Sequence, residues 1–171
     1  MKTENVKKFR FKNVFFIHNT DNLNTIELDN DIEFDSVMKS EIEWCSEVES
    51  IIKIKKINEN MSLKFTNNKN ILVYCGNNLI GGIYECSLWV SPEMRGRNIG
   101  KLIIKEYLKE NKSLSAESFS NSGLNTCLSA YKEYILENNE LTRDIKLSLI
   151  NDALLTFEEI QNNNLIHSIR C

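Results

Sequence analysis

The residues best suited to chemistry lie in one short segment, residues 88–102, which reads Leu-Trp-Val-Ser-Pro-Glu-Met-Arg-Gly-Arg-Asn-Ile-Gly-Lys-Leu. Its apolar start is typical of a strand, and Pro92, which has no backbone N–H to donate, ends strand pairing. Gly96 permits a positive φ. The loop of residues 95–100 then leads into a helix N-terminus, where free N–H groups and the macrodipole favour anions, and its two arginines add positive charge. The segment predicts a pyrophosphate site, with an ordinary glycine-rich turn as the alternative.

Two common phosphate-binding motifs do not describe this segment. The sequence lacks the G-x-x-x-x-G-K-[ST] pattern of a P-loop. The spacing of Gly96 and Gly100 also differs from the G-x-G-x-x-G fingerprint of dinucleotide-binding folds. Any phosphate site here must therefore be of another kind.

Composition predicts one folded domain around this segment. The 171 residues carry a net charge of −3, 42% of them are hydrophobic, and only six glycines and one proline are present. These values exclude a collagen-like or loop-dominated chain and argue against disorder. We expect a single domain over residues 1–171, long enough to form a core without disulfides or metals.

The first half of the chain is expected to hold a strand, a loop, a long helix and four more strands. Residues 7–17 alternate and then run apolar, as in a strand, whereas residues 20–31 are polar, as in a loop. Residues 31–57 repeat apolar side chains at three- and four-residue steps, which predicts one bent helix or two short ones, with Ser36 as N-cap and Trp44 in the core. Four strands follow, separated by Asn- and Gly-containing turns: 61–65, 70–75, 79–85 and 86–90.

The second half is expected to be mainly helical. Apolar positions at helical spacing predict a helix over residues 99–110, and the polar stretch of residues 111–123 leaves room for at most one short strand. Two further helices and a closing strand are predicted at 125–137, 142–161 and 165–169. This order indicates an α/β or α+β fold, with a mixed central sheet flanked by helices.

Cysteine usage and hydropathy predict the compartment. The five cysteines are odd in number, widely spaced and without a C-x-x-C pair, which favours reduced thiols over disulfides or a metal site. No apolar run reaches the roughly 18 residues of a membrane span, and no apolar signal region follows the charged first residues. We therefore expect a cytoplasmic protein with no metal and no membrane partner. A pI near 5.5 disfavours nucleic acid as a partner.

The sequence V-S-P-E-M-R-G-R-N-I-G, which begins at Val90, resembles the acyl-CoA-binding motif of the GNAT superfamily of N-acyltransferases. That motif is Arg or Gln, two residues, Gly, one residue, then Gly or Ala, after a strand that ends Val-x-Pro. Arg95 and Gly100 match it, with Val90 and Pro92 upstream, and Asn98 stands where the family usually has glycine. Residues 79–83 are similar to the family's third strand. The resemblance covers residues 71–109.

The resemblance implies acetyl-CoA as cosubstrate and a primary amine as acceptor. The loop would hold the pyrophosphate, and the pantetheine arm would pair with the strand at residues 88–90 as an added strand. The amine would attack the thioester directly. The cofactor-binding residues implied are Leu88, Trp89, Val90, Arg95, Gly96, Arg97, Asn98, Ile99 and Gly100.

The resemblance also implies a base and an acid for the transfer. Glu85 lies where several family members carry a carboxylate base, and Tyr131, with Tyr134 as second choice, lies where the family carries a tyrosine acid. A solvent-facing glutamate and half-buried packing tyrosines are the alternative interpretations. Cys86 is expected to be a small core residue rather than a nucleophile, because no histidine is positioned to activate it.

The acceptor and the alternatives remain open at this stage. A small-molecule amine or a protein amine would fit, and homodimers are frequent in folds of this type. One alternative is a non-catalytic GNAT-fold module that binds CoA or another protein. A second is a GNAT-like enzyme that modifies nucleic acid through a basic patch of Lys53, Lys55, Lys56 and Arg10. Four glutamates could attract a cationic amine or form a solvated helix face: Glu41, Glu43, Glu47 and Glu49. The resemblance also offers an alternative to a core position for Trp44, because this region often lines the acceptor pocket in the GNAT family.

Overall fold

Eight strands and four helices make up the part of the chain that the structure describes. The structure, a computed structural model, describes residues 6–11, 14–19, 31–84, 87–111, 114–116 and 121–162. The elements in chain order are β1 (Val6–Phe11), β2 (Val14–Asn19), α1 (Asp31–Val48), β3 (Ile51–Lys56), β4 (Met61–Thr66), β5 (Ile71–Cys75), β6 (Asn78–Tyr84), β7 (Ser87–Val90), α2 (Ile99–Asn111), β8 (Leu114–Ala116), α3 (Asn121–Glu137) and α4 (Arg143–Asn162). The expected α+β fold class is confirmed at this level, but the five-stranded sheet is antiparallel throughout and not the mixed central sheet that was expected.

The described strands form two sheets. One has five antiparallel strands in the order β3-β4-β5-β6-β7, and the other has three in the order β1-β2-β8. In the smaller sheet β1 and β2 are antiparallel, whereas β2 and β8 are parallel. Strands β7 and β8, which α2 separates in the chain, are therefore edge strands of different sheets.

Short turns produce the five-stranded meander. Consecutive antiparallel strands need only a few connecting residues, and these connections are two to four residues long. Asn58 Oδ1 accepts hydrogen bonds from the backbone N–H groups of Asn60 and Met61, at 2.9 and 2.8 Å, which closes the turn before β4. Gly76 takes a φ of +59° in the turn before β6. In the turn before β5, Lys69 rather than an asparagine takes the positive φ, of +68°.

Helices cover both faces of the five-stranded sheet. Met38, Ile42 and Cys45 of α1 pack with Leu72 and Trp89 on one face. The larger core lies on the other face, where buried residues of β4, β5 and β6 pack against α2, α3 and α4. The sheet is therefore the middle layer of the described core. Where helices approach it closely from both sides, its residues must have small side chains or none.

Gly81 and Gly82, two consecutive residues of β6, meet this need because they have no side chains. A Cβ on Gly82 would lie 2.7 Å from Ile71 O and 3.2 Å from Ile42 Cγ2 of α1. A Cβ on Gly81 would point the other way, 2.8 Å from Trp89 O and 3.5 Å from Ile103 Cδ1 of α2. Side chains at these positions would separate the sheet from its neighbours.

The predicted helix over residues 31–57 is wrong in its last part. Helix α1 ends at Val48, and β3 follows after two residues. Residues 51–56 read Ile-Ile-Lys-Ile-Lys-Lys, and their β-branched isoleucines alternating with lysines favour a strand. Pairing with β4 and an ion pair from Lys55 Nζ to Glu106 Oε2 of α2, at 2.7 Å, hold the segment in place.

Two smaller expectations near the N-terminus are also wrong. Residues 6–11 and 14–19 form two antiparallel strands, β1 and β2, where one strand was expected. In the sequence, a polar Lys-Asn pair separates a first segment that alternates lysine or arginine with phenylalanine from a second that begins with four apolar residues. Ser36 is not an N-cap because α1 begins earlier, at Asp31. Ser36 instead lies inside the helix, where its carbonyl accepts a hydrogen bond from Ser40 Oγ at 2.9 Å.

The remaining element predictions agree with the structure wherever it describes the chain. The strands at 61–65, 70–75, 79–85 and 86–90 and the helices at 99–110, 125–137 and 142–161 are confirmed to within a few residues, although α3 begins at Asn121. The polar stretch after α2 holds one short described strand, β8. The predicted loop at 20–30 and the closing strand at 165–169 lie outside the described residues.

Two properties of the described residues concern membrane crossing and metal binding. None of the described helices combines the length and the hydropathy that a bilayer crossing would require. The same residues hold no group of three or more His, Cys, Asp or Glu side chains arranged to bind a metal ion.

Candidate functional site

Strand β7 presents one edge that no described strand pairs with. Its other edge pairs with β6 in the register Gly82 to Trp89, and the Ser91 N–H donates to Ile80 O at 2.9 Å. Alternate residues of a strand direct their backbone groups to the same side. Because Trp89 and Ser91 face β6, the backbone groups of Leu88 and Val90 face the open edge.

A tight loop carries the chain from β7 into α2. Pro92–Met94 form one 3₁₀ turn, closed by the Met94 N–H donating to Ser91 O at 2.9 Å. Gly96 and Asn98 then take left-handed conformations, with φ of +74° and +60°. The asparagine at the position where the resemblance expects glycine thus adopts the backbone conformation that glycine allows most readily. Its carbonyl accepts the Leu102 N–H at 3.0 Å, which begins the helix directly.

The loop is positively charged and accessible. Arg95, Gly96, Arg97 and Asn98 are exposed, and the first turn of α2 contains no acidic residue. Arg95 Nε donates to Val90 O at 3.1 Å, which ties the loop to the end of β7. The first N–H groups of a helix have no partner within the helix, so the start of α2 attracts anions.

Packing around Ile99 and Gly100 fixes where α2 begins. Ile99 is buried in the main core. A Cβ on Gly100 would lie 3.4 Å from Thr126 Cγ2 of α3 and 3.5 Å from Leu88 Cδ2 of β7, which are ordinary contact distances. The start of the helix therefore packs closely on both β7 and α3, and the loop is held between rigid elements.

The predicted acid residues lie on α3, and the predicted base lies outside the described residues. Tyr131 is buried in the main core. Burial, with smaller contributions from Tyr134 and the negative charge of Asp152, raises the pKa of Tyr131 to about 12. Tyr134 is half-buried against the same core. Residues 85 and 86 lie outside the described residues, so the roles expected for Glu85 and Cys86 stay predictions.

Trp89 is among the predicted cofactor-binding residues, but the burial of its indole was not predicted from sequence. Trp89 is 4% exposed beneath α1, and its Nε1–H has no hydrogen-bond partner among the described residues. A buried donor without an acceptor costs about 1–3 kcal/mol. Only the tertiary structure could reveal this, because the sequence predicts the strand but not what covers it.

A second concave feature lies at the opposite end of the sheet. A cavity of about 410 Å³ is lined by residues from α1 and the segment after it, the turn before β5, the end of β6, and α2: Trp44, Val48, Glu49, Asn68, Asn70, Tyr84 and Tyr107. The expectation that Trp44 lies in the core is wrong, because its side chain is 53% exposed beside this cavity. The alternation of polar and apolar residues in α1 gave no sign of a concave surface.

Comparisons of the chain with protein-family models, with curated proteins and with solved structures found no match. What the protein does is therefore inferred from its own residues and geometry.

Proposed function

We propose that this protein is a GNAT-like N-acyltransferase that transfers an acetyl group from acetyl-CoA to a primary amine. The observation that carries the proposal is the open edge of β7, which runs directly into a cationic loop with two left-handed residues and a helix N-terminus. These are the backbone features that the sequence resemblance requires at the same positions.

The open edge of β7 has the length and polarity to bind a pantetheine arm. Its four residues extend for about 13 Å. The backbone groups of Leu88 and Val90 that face outward would pair with the amides of the arm, as in strand addition. Val90 O already accepts the Arg95 side chain, so the remaining outward groups would carry this pairing.

The loop and the start of α2 would bind the pyrophosphate. The N–H groups of residues 96–100 lie at the positive end of the helix, and the exposed Arg97 guanidinium is the charge best placed to reach a bound anion. Arg95 would act mainly by positioning the loop against Val90.

The transfer needs one group to take a proton from the amine and another to protonate the departing thiolate. The amine nitrogen forms a bond to the thioester carbon, and the carbon–sulfur bond breaks. We assign the base to Glu85 and the acid to Tyr131, with Tyr134 as second choice, by resemblance. The raised pKa of Tyr131 keeps its hydroxyl protonated at neutral pH, as a proton donor must be.

The proposal extends to partners and location. A small-molecule or protein amine is the acceptor, a homodimer fits folds of this type, and neither a metal nor a membrane takes part. The free thiols of Cys45, Cys75 and Cys127 support a reducing, cytoplasmic location.

Acetyl-CoA binding tests the proposal directly. Unfolding of the full chain by urea would be followed with and without millimolar acetyl-CoA, for the native sequence and for Arg95→Glu/Arg97→Glu. Acetyl-CoA at about 100 times its Kd should stabilise the native protein by about 2.7 kcal/mol, and charge reversal should abolish this gain. A native protein that millimolar acetyl-CoA does not stabilise would contradict the proposal.

A matched control separates a specific site from general charge effects. Lys56→Glu/Arg143→Glu changes the net charge by the same amount at two exposed positions away from the loop. This variant should retain the stabilisation by acetyl-CoA. If both double variants lost the stabilisation by acetyl-CoA equally, the loop would not be the acetyl-CoA site.

One observation favours a non-catalytic CoA-binding module as the second candidate. The deep burial of Tyr131 makes it a weak acid and limits its contact with any substrate. Mass spectrometry of an amine mixture incubated with protein and acetyl-CoA distinguishes the two, because only the enzyme yields acetylated products.

The nucleic-acid alternative finds little support in the described residues. Two of the lysines expected to form a basic patch are paired with carboxylates of α2, Lys53 with Glu110 and Lys55 with Glu106. These ion pairs reduce the positive charge that a phosphate backbone would meet on β3.

A further inference from the structure

The cavity at the far end of the sheet has the chemistry of a site for an organic cation. It lies where β5 begins and β6 ends, next to each other in the register Ile71 to Ile83. Its volume of about 410 Å³ is in the range of small-molecule sites. The loop at residues 95–98 follows the opposite end of β7, so the two features are separate.

Three aromatic residues line this cavity. The rings of Trp44 and Tyr84 meet edge to face, with centroids 5.9 Å apart and planes at 77°, and Tyr107 contributes a third ring from α2. Rings set at right angles form two adjacent walls of a corner. Aromatic faces carry partial negative charge and attract cations, and tryptophan attracts them most strongly. The half-exposed Trp44 leaves this corner accessible.

Glu49 places a full negative charge in the same cavity. Its Oε1 accepts hydrogen bonds from Asn68 Nδ2 and Asn70 Nδ2 at 3.0 and 2.9 Å, and its Oε2 accepts from Asn70 Nδ2 at 3.0 Å. Burial raises the pKa of Glu49, but these bonds and further ones from Thr66 and Cys45 together hold it below its usual value. The carboxyl group is therefore ionised at neutral pH.

No protein cation balances this charge within the described part of the chain. Each group that bonds the Glu49 carboxylate is a neutral amide, hydroxyl or thiol. None of the salt bridges among the described residues includes Glu49. A carboxylate beside aromatic rings, without a basic side chain, is a setting that a positively charged ligand would stabilise.

The near-saturation of the carboxylate selects among cations. A carboxylate offers about four lone-pair positions, and the amide groups of Asn68 and Asn70 already make three hydrogen bonds to Glu49. A primary ammonium needs acceptors for three N–H groups and would find few here. A quaternary ammonium donates no hydrogen bond and needs only charge and aromatic faces.

We propose that this cavity binds the quaternary ammonium head group of a small molecule, in the corner formed by the rings of Trp44 and Tyr84 and beside Glu49. The head group itself is not the acceptor of the proposed transferase reaction, because a quaternary nitrogen has no lone pair and cannot be acylated. The same hydrogen bonds also attach the end of α1 to the turn before β5, so a test must separate ligand binding from this structural role.

Choline is the probe that tests the head group. Its binding to the full chain, without acetyl-CoA, would be followed by NMR through the indole N–H signals of the two tryptophans. Choline should shift the signal of Trp44 and leave the buried Trp89 unchanged. The neutral isostere 3,3-dimethylbutan-1-ol should bind about tenfold more weakly, since cation–π attraction and the carboxylate charge are lost.

Selectivity provides the outcome that would overturn the proposal. Ethanolamine, a primary ammonium of similar length, should bind more weakly than choline. If the neutral isostere binds as well as choline, the cavity is merely apolar and the proposal is wrong. If ethanolamine binds equally well or better, the argument from the nearly saturated carboxylate is wrong.

Variants at exposed positions keep the test independent of folding. The Trp44 variants lack the Trp44 indole signal, so choline binding to them would be measured by titration calorimetry. Trp44→Leu should weaken choline binding about tenfold, and Trp44→Phe should restore part of it, because a smaller aromatic face remains. Val37→Ala, on the same helix and similarly exposed, is the control and should bind normally. Glu49→Gln keeps the shape but removes the charge, and it should also weaken binding, as measured by the shift of the Trp44 signal. Unchanged binding in both Trp44→Leu and Glu49→Gln would place any choline site elsewhere.

Discussion

The two ends of the five-stranded sheet differ in charge and in construction. At the Val90 end, the loop of residues 95–98 exposes arginines and backbone N–H groups in front of a helix N-terminus. At the Tyr84 end, a carboxylate held by neutral donors lies among aromatic rings. The first end suits an anion, and the second suits a cation.

The difference shows which kinds of site can be found from sequence. The cationic loop is contiguous, so its residue types, its spacing and its position after a strand are visible in fifteen residues. The cavity combines segments that are up to about sixty residues apart, from Trp44 to Tyr107. Its residues become a site only when α1 and α2 are placed on opposite faces of one sheet, and no local pattern specifies that placement.

The largest expected change in stability comes from adding a side chain at Gly82 of β6, beneath α1, the helix that carries Trp44. Gly82→Val should destabilise the protein by about 3 kcal/mol, because the new side chain would overlap Ile71 O and the Ile42 side chain. Urea unfolding measures this loss. Gly100→Ala is the matched control at the other end, where a Cβ meets only ordinary contacts, and it should change stability by less than about 1 kcal/mol. An equally large loss in Gly100→Ala would mean that both ends are packed equally tightly.

Most of the fold could be predicted from sequence, and the errors have physical causes. The strands β4 to β7 and the helices α2 to α4 follow from periodicity and turn residues, because local pattern and tertiary packing agree there. Local pattern and tertiary packing disagree over residues 51–56. Isoleucines there fit a helical stripe as well as a strand, and only pairing with β4 and the lysine–glutamate contacts to α2 decide the outcome.

The candidate site was predicted only in part. The left-handed conformations of Gly96 and Asn98 agree with what these residue types allow. Half-buried packing of Tyr131 was one of its two interpretations. The nearly complete burial of Tyr131, and a Trp89 indole N–H without a partner among the described residues, could not be predicted, since both depend on how α3 and α1 cover the sheet. Sequence thus predicts the backbone of such a site better than the environment of its side chains.

A smaller change in stability is expected at the Tyr84 end alone, and it depends on pH because it involves the ionised form of Glu49. The pKa of Glu49 is lowered in the folded protein, so its ionised form adds stability that is present above the pKa of the unfolded chain. This stability is lost as the pH falls through the lowered folded value. Glu49→Gln should therefore cost about 1 kcal/mol at pH 7, and the cost should shrink as the pH falls through the lowered pKa of the folded protein.

The control for this pH experiment is Glu47→Gln, which removes one negative charge from an exposed position of the same helix. Urea unfolding at several pH values would compare each variant with the native protein. A cost of Glu49→Gln that does not fall on acidification would show that the loss comes from replacing an acceptor oxygen with an amide donor, and not from the charge.

The smallest expected effect concerns Trp89, which belongs to β7 but packs beneath α1 and so connects the two ends. Trp89→Phe loses apolar contact area but also removes the buried N–H that has no described partner. These changes oppose each other, and the net loss of stability should stay within about 1 kcal/mol. Leu72→Ala, in the same buried cluster, should cost about 2–5 kcal/mol in the same urea unfolding measurement. A loss of that size in Trp89→Phe would mean that the indole N–H is satisfied in solution and helps to join β7 to α1.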